Sequence, residues 1–214
     1  MNRRAMDRED MPRRTVLWKK LCVFWRKIQK RKSWMWREKY DGKQRTEEEY
    51  MIQYYNGSIF DSKADILCHQ VNCQGAFGYG IAGQVKKLFP EVEKTYKRIT
   101  KQWIEKEHGD TSRLLGRVSA QPVEKDGRWF LIGNLYGQND YGRKKMVYTD
   151  YDALEKAMGE IRNFLEARDK NETVAFPYKI GCGSAGGDWN IVEDIIKRTV
   201  EGYSGEVQIW KYEE

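Results

Sequence analysis

Two glycine-rich stretches hold the residues best suited to chemistry in this sequence. Residues 72–83 read NCQGAFGYGIAG, and residues 177–189 read PYKIGCGSAGGDW. Glycine lets the backbone approach a ligand closely and adopt positive φ. A helix that follows such a loop points its free N–H groups at the occupant, and phosphate is the natural one. Two such loops at one edge of a sheet would grip a diphosphate from both sides.

Two plainer interpretations compete with a diphosphate site. Both stretches could be ordinary turns, although their glycines cluster more densely than a turn requires. Gly78–Gly83 also fits the G-x-G-x-x-G dinucleotide fingerprint, which should be followed about 20 residues later by an acidic residue at the end of a strand. The region near Glu105 is instead helical and highly charged in pattern. The pattern therefore disfavours a dinucleotide-binding fold.

Strands and helices alternate around the two loops. Strands are predicted at 52–55, 65–71, 116–123, 129–136, 173–176 and 207–212. Helices are predicted after each glycine-rich loop, with a break at Pro90, and after Thr149 or Asp150, each of which can cap a helix. The helix after Thr149 or Asp150 has an apolar stripe at Tyr151, Leu154, Met158, Ile161 and Leu165, and the last helix has apolar residues at Ile191, Ile195, Ile196 and Val200. Asp188 stands where the last helix needs its N-cap. This order predicts an α/β fold whose loops follow strands and so meet at one edge of the sheet.

The charge separates the chain into two parts. The whole sequence carries +7, but residues 1–48 hold 16 basic and 7 acidic residues, so the remainder is close to neutral. Residues 1–50 are therefore treated as a basic, Trp-rich extension and residues 51–214 as the main domain. The extension could be a basic amphipathic helix that contacts a membrane surface, nucleic acid or an acidic partner. It could also be a loosely packed or disordered segment, and Met51 could be the real start of the protein.

The composition excludes several classes of protein. No apolar run is long enough to span a membrane, and no signal-peptide core is visible. Four cysteines without a C-x-x-C pair and two histidines give no usual zinc pattern, so no metal or cofactor is expected. We expect a cytoplasmic protein with reduced thiols, and a monomer suffices for a domain of this size.

The motifs resemble those of the macrodomain family. The resemblance covers roughly residues 51–214 and rests on Asn72, Gly78-x-Gly80-Ile81-Ala82, Lys86-Lys87-x-Phe89-Pro90 and Gly181-Cys182-Gly183-x-x-Gly186-x-Asp188-Trp189. The most similar branch contains terminal ADP-ribose glycohydrolases, antitoxin macrodomains that remove ADP-ribose from DNA, and ADP-ribose-1″-phosphate phosphatases. It implies a three-layer α/β/α fold with a mixed, mostly parallel central sheet, and ADP-ribose as ligand.

The resemblance also implies a set of binding residues. The first loop would hold the distal ribose and part of the diphosphate, and the second loop would close over the diphosphate. Trp210 matches the position of an aromatic residue that stacks on adenine, with plain strand packing as the alternative. The implied ligand-binding residues are Asn72, Gly75, Gly78, Tyr79, Gly80, Ile81, Gly181, Cys182, Gly183, Ser184, Ala185, Gly186 and Trp210.

Lys86 and Asp188 are the implied catalytic residues. In the glycohydrolase branch, a lysine at the position of Lys86 attacks the anomeric carbon of the distal ribose. Ala82 and Lys86 are one turn apart on the predicted helix, so alanine would leave room beneath the lysine stem. The human-type glycohydrolase has an aspartate where Ala185 stands here, and Asp188 is the nearest carboxylate in the sequence. Asp188 could equally serve only as a helix cap.

The expected function is ADP-ribose binding with hydrolysis of an ADP-ribosyl linkage on a protein or nucleic acid. Two alternatives remain: a non-catalytic reader of ADP-ribose, favoured by Ala185, and an ADP-ribose-1″-phosphate phosphatase. Residues 136–146 are rich in tyrosine, glycine and basic residues. They are predicted to form a long loop near the distal ribose, where the modified partner would enter.

Overall fold

The computed structural model describes residues 52–142, 144–167 and 172–212. The proposals for residues 1–50, a basic helix or a disordered extension with nucleic-acid contact, lie outside the described residues. Six strands are present: β1 (Ile52–Asn56), β2 (Ile66–Asn72), β3 (Val118–Lys125), β4 (Arg128–Gln138), β5 (Val174–Pro177) and β6 (Val207–Lys211). The four α-helices in these residues are α1 (Gly80–Leu88), α2 (Pro90–Lys106), α3 (Tyr151–Glu166) and α4 (Trp189–Val200). Short 3-10 helices lie at Ile59–Asp61 and Thr111–Leu114.

The strands form one mixed, mostly parallel sheet with the order β1-β6-β5-β2-β4-β3. Every neighbouring pair is parallel except β3 and β4, which form an antiparallel hairpin closed by Asp126-Gly127. Helices α1 and α2 pack on one face of the sheet, and α3 and α4 pack on the other. The three-layer α/β/α architecture predicted from the sequence is therefore confirmed.

Apolar periodicity explains which face each helix buries. Val92, Tyr96 and Ile99 are spaced on one side of α2 and are buried against the sheet. The predicted stripe of α3 is buried through Leu154, Met158, Ile161 and Leu165. This i, i+4, i+7 spacing is that of one helix face.

The predicted stripe of α4 needs one correction. The sequence pattern assigned Ile191 to the buried face, but 43% of that residue is exposed. Val192 is buried instead, together with Ile195 and Ile196. The cap at Asp188 fixes where the helix begins, and the resulting rotation points position 191 outward.

Pro90 separates α1 from α2 as predicted. It is the first residue of α2, where its missing N–H breaks no helical bond. Phe89 lies at the junction and is buried among Phe60 and Phe130. The break keeps α1 short, and α1 begins directly after the first glycine-rich loop.

Candidate functional site

The two glycine-rich loops lie side by side at the carboxyl edge of the sheet. The first follows β2 and the second follows β5, and these two strands are adjacent and parallel. Ligands of open α/β sheets bind at this edge. The segment after β4, the other neighbour of β2, emerges at the same edge.

These three segments enclose a cleft of about 460 Å³. That volume is in the range of small-molecule sites. The first loop and α1 contribute half of the lining residues, the second loop contributes Ser184, and the segment after β4 contributes Tyr141 and Gly142. The lining residues are Gln70, Val71, Asn72, Ala76, Phe77, Gly78, Tyr79, Ala82, Gln138, Tyr141, Gly142 and Ser184.

The side chain of Asn72 organises the first loop. Its Oδ1 accepts hydrogen bonds from the backbone N–H groups of Gln74 at 3.0 Å and Ala76 at 3.1 Å, and its Nδ2 donates to the carbonyl of Ala76 at 2.7 Å. The Tyr96 hydroxyl donates to the Asn72 carbonyl at 2.7 Å. Gly75 has φ +78°, a conformation that side chains other than glycine rarely adopt.

The end of the first loop exposes the start of α1. Tyr79 is the N-cap residue, but its side chain makes no capping hydrogen bond. The first N–H groups of α1, beginning at Gly80 and Ile81, therefore lack a side-chain cap. Gly83 lies so close to this loop that a Cβ there would be 2.7 Å from the carbonyl oxygen of Gly78. The close approach of helix and loop thus depends on glycine at position 83.

The second loop is closed by its own backbone. Gly187 N–H donates to the Gly181 carbonyl, and Gly186 N–H donates to the Gly183 carbonyl, each at 3.0 Å. A Cβ on Gly187 would lie 2.8 Å from the Gly181 carbonyl oxygen. A Cβ on Gly183, in contrast, would meet no atom within 4 Å.

Cys182 and Ala185 face inward from the second loop. The Cys182 thiol donates to the Ile180 carbonyl at 3.3 Å, and burial raises the pKa of this thiol to about 11. Ala185 is buried, and its carbonyl accepts from the Tyr148 N–H at 2.8 Å. Cys182 is therefore a protonated, structural thiol at neutral pH.

Lys86 lies outside the cleft lining. Its side chain is 49% exposed, and Nζ donates to Glu93 Oε1 at 3.1 Å. Glu93 also pairs with Lys97, and these hydrogen bonds keep the pKa of the Glu93 carboxyl below its usual value. Ala82, one turn before Lys86, does line the cleft. The structure thus brings the lysine stem near the site but directs the amine away from it.

Asp188 caps α4. Its side chain accepts from the Asn190 N–H at 2.8 Å, and its own N–H donates to the Tyr151 hydroxyl at 2.9 Å. The carboxylate is exposed and is not among the cleft-lining residues. The capping interpretation accounts for this geometry, and a catalytic role stays a prediction.

Trp210 lies in β6, next to the edge strand β1. Its ring stacks on Tyr55 with centroids 4.9 Å apart and planes at 14°, and its Nε1 donates to Gln208 Oε1 at 2.8 Å. The indole is partly buried against the core and does not line the cleft. One face is thus covered by Tyr55, and stacking on adenine stays a prediction.

The cleft carries no charged side chain among its lining residues in the described parts of the chain. Its polar groups are neutral amides, hydroxyls and backbone N–H groups. A diphosphate here would be held by backbone N–H groups at the start of α1 and in the loops, as in other anion sites built on helix N-termini. The cleft is therefore suited to hold a phosphate group through backbone N–H groups, without a lysine or arginine side chain in its lining.

Gln70, Gln138 and Tyr141 are lining residues that the sequence interpretation did not single out. Gln70 is two positions before Asn72, on the same face of β2. Its position on the same face as Asn72, in a mostly buried strand, is a signal that could have identified it. The predicted loop at residues 136–146 begins later than expected, because β4 extends to Gln138 and Tyr136 is buried in it.

Comparisons with known proteins fit this architecture. No protein-family model matches the chain. The chain is 28% identical over 187 residues to an ADP-ribose 1″-phosphate phosphatase of Saccharomyces cerevisiae, spanning 76% of this chain and 98% of that relative. It is 28% identical over 154 residues to a DNA ADP-ribosyl glycohydrolase of Mycobacterium tuberculosis, spanning 72% of this chain and 39% of that relative.

Solved structures agree with these relatives. The macrodomain of Mycobacterium tuberculosis DarG superposes with a TM-score of 0.58 at 23% identity, covering 75% of this chain and 97% of that one. The protein therefore has the macrodomain fold. Thermosipho africanus DarTG in complex with ADP-ribose also superposes on this chain, with a TM-score of 0.59 at 21% identity, covering 74% of this chain and 41% of that one.

Among its described residues, the protein has no helix long and apolar enough to cross a membrane.

Proposed function

We propose that this macrodomain binds ADP-ribose in the cleft and hydrolyses an ADP-ribosyl linkage on a macromolecule. The observation that carries the proposal is the joining of both glycine-rich loops in one cleft of about 460 Å³ at the carboxyl edge of the sheet. The names of the relatives support it, since they describe hydrolysis of ADP-ribose derivatives. A structural relative also binds ADP-ribose itself.

In this proposal, the diphosphate lies between the loops at 75–80 and 181–186. Backbone N–H groups of both loops and of the first turn of α1 donate to the phosphate oxygens. Asn72 Nδ2 has two hydrogens, and the one that does not bond Ala76 donates to a hydroxyl of the distal ribose. Trp210 supports the adenine end of the ligand.

Lys86 is the proposed nucleophile. It follows Ala82 by one turn on the flank of α1 that lines the cleft. To react, Nζ must leave Glu93, give its proton to solvent and attack the anomeric carbon of the distal ribose. The bond from that carbon to the macromolecule breaks, the macromolecule leaves, and water then hydrolyses the lysine adduct to release ADP-ribose. Substitution of Lys86 should therefore affect the reaction without affecting substrate binding, because the loops bind the substrate and the lysine reacts with it.

A phosphatase acting on ADP-ribose-1″-phosphate is the second candidate. The match to the yeast phosphatase spans 98% of that protein, whereas the match to the glycohydrolase spans 39%. The pairing of Lys86 with Glu93 also favours a reaction that does not use this amine. A reader without activity is the third candidate, because the cleft lining holds no ionisable carboxylate, lysine or histidine among the described residues.

Calorimetric titration of the full chain with ADP-ribose tests binding. Gly183→Leu is the matched variant, because the added side chain enters space that holds no atom within 4 Å of its Cβ, next to Ser184. We expect a folded variant that no longer binds ADP-ribose. Unchanged affinity in this variant would contradict a site shared by both loops.

Release assays separate the three candidates. ADP-ribosylated protein, ADP-ribosylated single-stranded DNA and ADP-ribose-1″-phosphate are each offered to the wild type, to Lys86→Ala and to the neighbouring control Lys87→Ala. Release of ADP-ribose that only Lys86→Ala abolishes supports the glycohydrolase. Release of phosphate that survives in Lys86→Ala supports the phosphatase, and binding without any release supports the reader.

The cytoplasmic location, the monomeric state and a nucleic-acid contact through residues 1–50 remain predictions from the sequence. Salt-dependent DNA binding that is lost on deletion of residues 1–50 would support that contact.

A further inference from the structure

Gln70 connects the three segments that form the cleft. Its Nε2 donates to Gln138 Oε1 at 2.8 Å, at the end of β4, and to Thr149 Oγ1 at 3.0 Å, before α3. The Thr149 hydroxyl in turn donates to the Gly181 carbonyl at 2.6 Å, in the second glycine-rich loop. The Gln70 side chain on β2 is therefore linked to the end of β4 directly and to the second glycine-rich loop through Thr149.

Two glycines make room for this side chain. A Cβ on Gly181 would lie 2.5 Å from Gln70 Oε1, and a Cβ on Gly137 would lie 2.8 Å from the same atom. Gly181 also needs its φ of +74°, but Gly137 has no positive φ. At position 137, the space occupied by the Gln70 carboxamide is thus the reason for glycine.

The backbone is adapted to the same contact. Val71 pairs with Tyr136 and Asn72 pairs with Gln138, so Gly137 is an extra residue in β4 at this point of the register. Such bulges redirect side chains and are common beside functional sites. This bulge places Gln138 at the cleft, beside Gln70.

We infer that Gln70 is a positioning residue that holds the 181–187 loop at a fixed distance from the first glycine-rich loop. It acts through Thr149 and the Gly181 carbonyl, whose other partner is the Gly187 N–H that closes the second loop. A ligand that bridges both loops then meets donors already in place, which lowers the entropy lost on binding. The identity of that ligand as ADP-ribose rests on the proposed function.

Gly137→Ala is the sharpest perturbation of this network. Gly137 does not line the cleft, and the three atoms nearest to its new methyl group would all belong to the flexible side chain of Gln70. We expect a displaced Gln70, a nearly unchanged melting temperature and ADP-ribose affinity roughly tenfold weaker, the equivalent of about one net hydrogen bond. Gln70→Ala should weaken binding by a similar factor.

The double variant distinguishes positioning from a general structural effect. If Gly137→Ala acts through Gln70, it adds no further loss of affinity in the Gln70→Ala background. Gly159→Ala on α3 is the control, since its Cβ would meet no atom within 4 Å. It should leave ADP-ribose affinity unchanged.

Amide chemical shifts of residues 181–187 in the ligand-free protein give a readout that does not depend on ADP-ribose. They should move in Gln70→Ala and Gly137→Ala and stay in place in Gly159→Ala. Shifts that move while the wild type fails to bind ADP-ribose would overturn the proposed function and leave the positioning role standing. Unmoved shifts, or additive losses of affinity in the double variant, would overturn the positioning role.

Discussion

His69 should make the folded protein less stable at mildly acidic pH, because the unfolded chain takes up a proton at His69 that the folded protein does not. His69 is 2% exposed in β2, where its Nε2 pairs with Asn134 Oδ1 at 2.8 Å and the edge of the Phe77 ring lies against it. Burial lowers the pKa of the imidazole from 6.5 to about 4, and the hydrogen bond with Asn134 opposes this only in part. The folded protein therefore holds His69 neutral.

The direction of the pH effect follows from that pKa. Below pH 6.5, the unfolded chain binds a proton at His69 that the folded protein does not bind until about pH 4. The stability contributed by neutral His69 is therefore present above pH 6.5 and is lost as the pH falls toward 4. The loss of unfolding free energy from this residue is about 2 kcal/mol between pH 7.5 and 5.

Urea unfolding at pH 7.5, 6.5, 5.5 and 5 measures this loss, with His69→Gln as the control. All other ionisable residues are the same in both proteins, so the difference between the two pH profiles reports His69 alone. We expect the wild type to lose about 2 kcal/mol more than the variant over this range. Parallel profiles would refute the assignment of a buried neutral imidazole.

Two further predictions concern the second loop and its helix. Gly187→Ala places a Cβ 2.8 Å from the Gly181 carbonyl oxygen. We therefore expect this variant to lose about 1–3 kcal/mol of unfolding free energy, measured by thermal unfolding, and to bind ADP-ribose more weakly. Gly183→Ala is the control, because its Cβ would meet no atom within 4 Å and its stability should change little. Equal melting temperatures for the two variants would contradict the close approach. Asp188→Ala removes the N-cap bond to Asn190 and should lower the unfolding free energy by about 1 kcal/mol; if Asp188 only caps α4, turnover at saturating substrate stays unchanged.

Much of the fold could be predicted because its signals are local. Helix α3 was identified from the apolar residues at Leu154, Met158, Ile161 and Leu165, whose spacing is that of one helix face. The junction of α1 and α2 was identified from Pro90, which can begin a helix but not continue one. The prediction for α4 was wrong at Ile191, since a shift of one residue within a short helix rotates its buried face.

The loops of the candidate site could be predicted from glycine patterns, but the directions of its side chains depend on partners elsewhere in the fold. Both loops could be located in sequence because closely spaced glycines between a strand and a helix are a local feature. The direction of the Lys86 side chain could not be predicted, because it depends on an ion pair with Glu93 in the next helix. Gln70 was missed because its role depends on Gln138 and Thr149, which are distant in the chain.

The sequence by itself determined the order of the elements, the two glycine-rich loops and their shared edge of the sheet, because propensity, periodicity and glycine spacing act over a few residues. The tertiary structure decided which side chains enter the cleft. It turned the Lys86 amine toward Glu93, covered one face of Trp210 with Tyr55, and placed Gln70 between the cleft walls. Each outcome depends on which rotamer or strand register is adopted. That is determined by neighbouring residues that come together only in the folded protein.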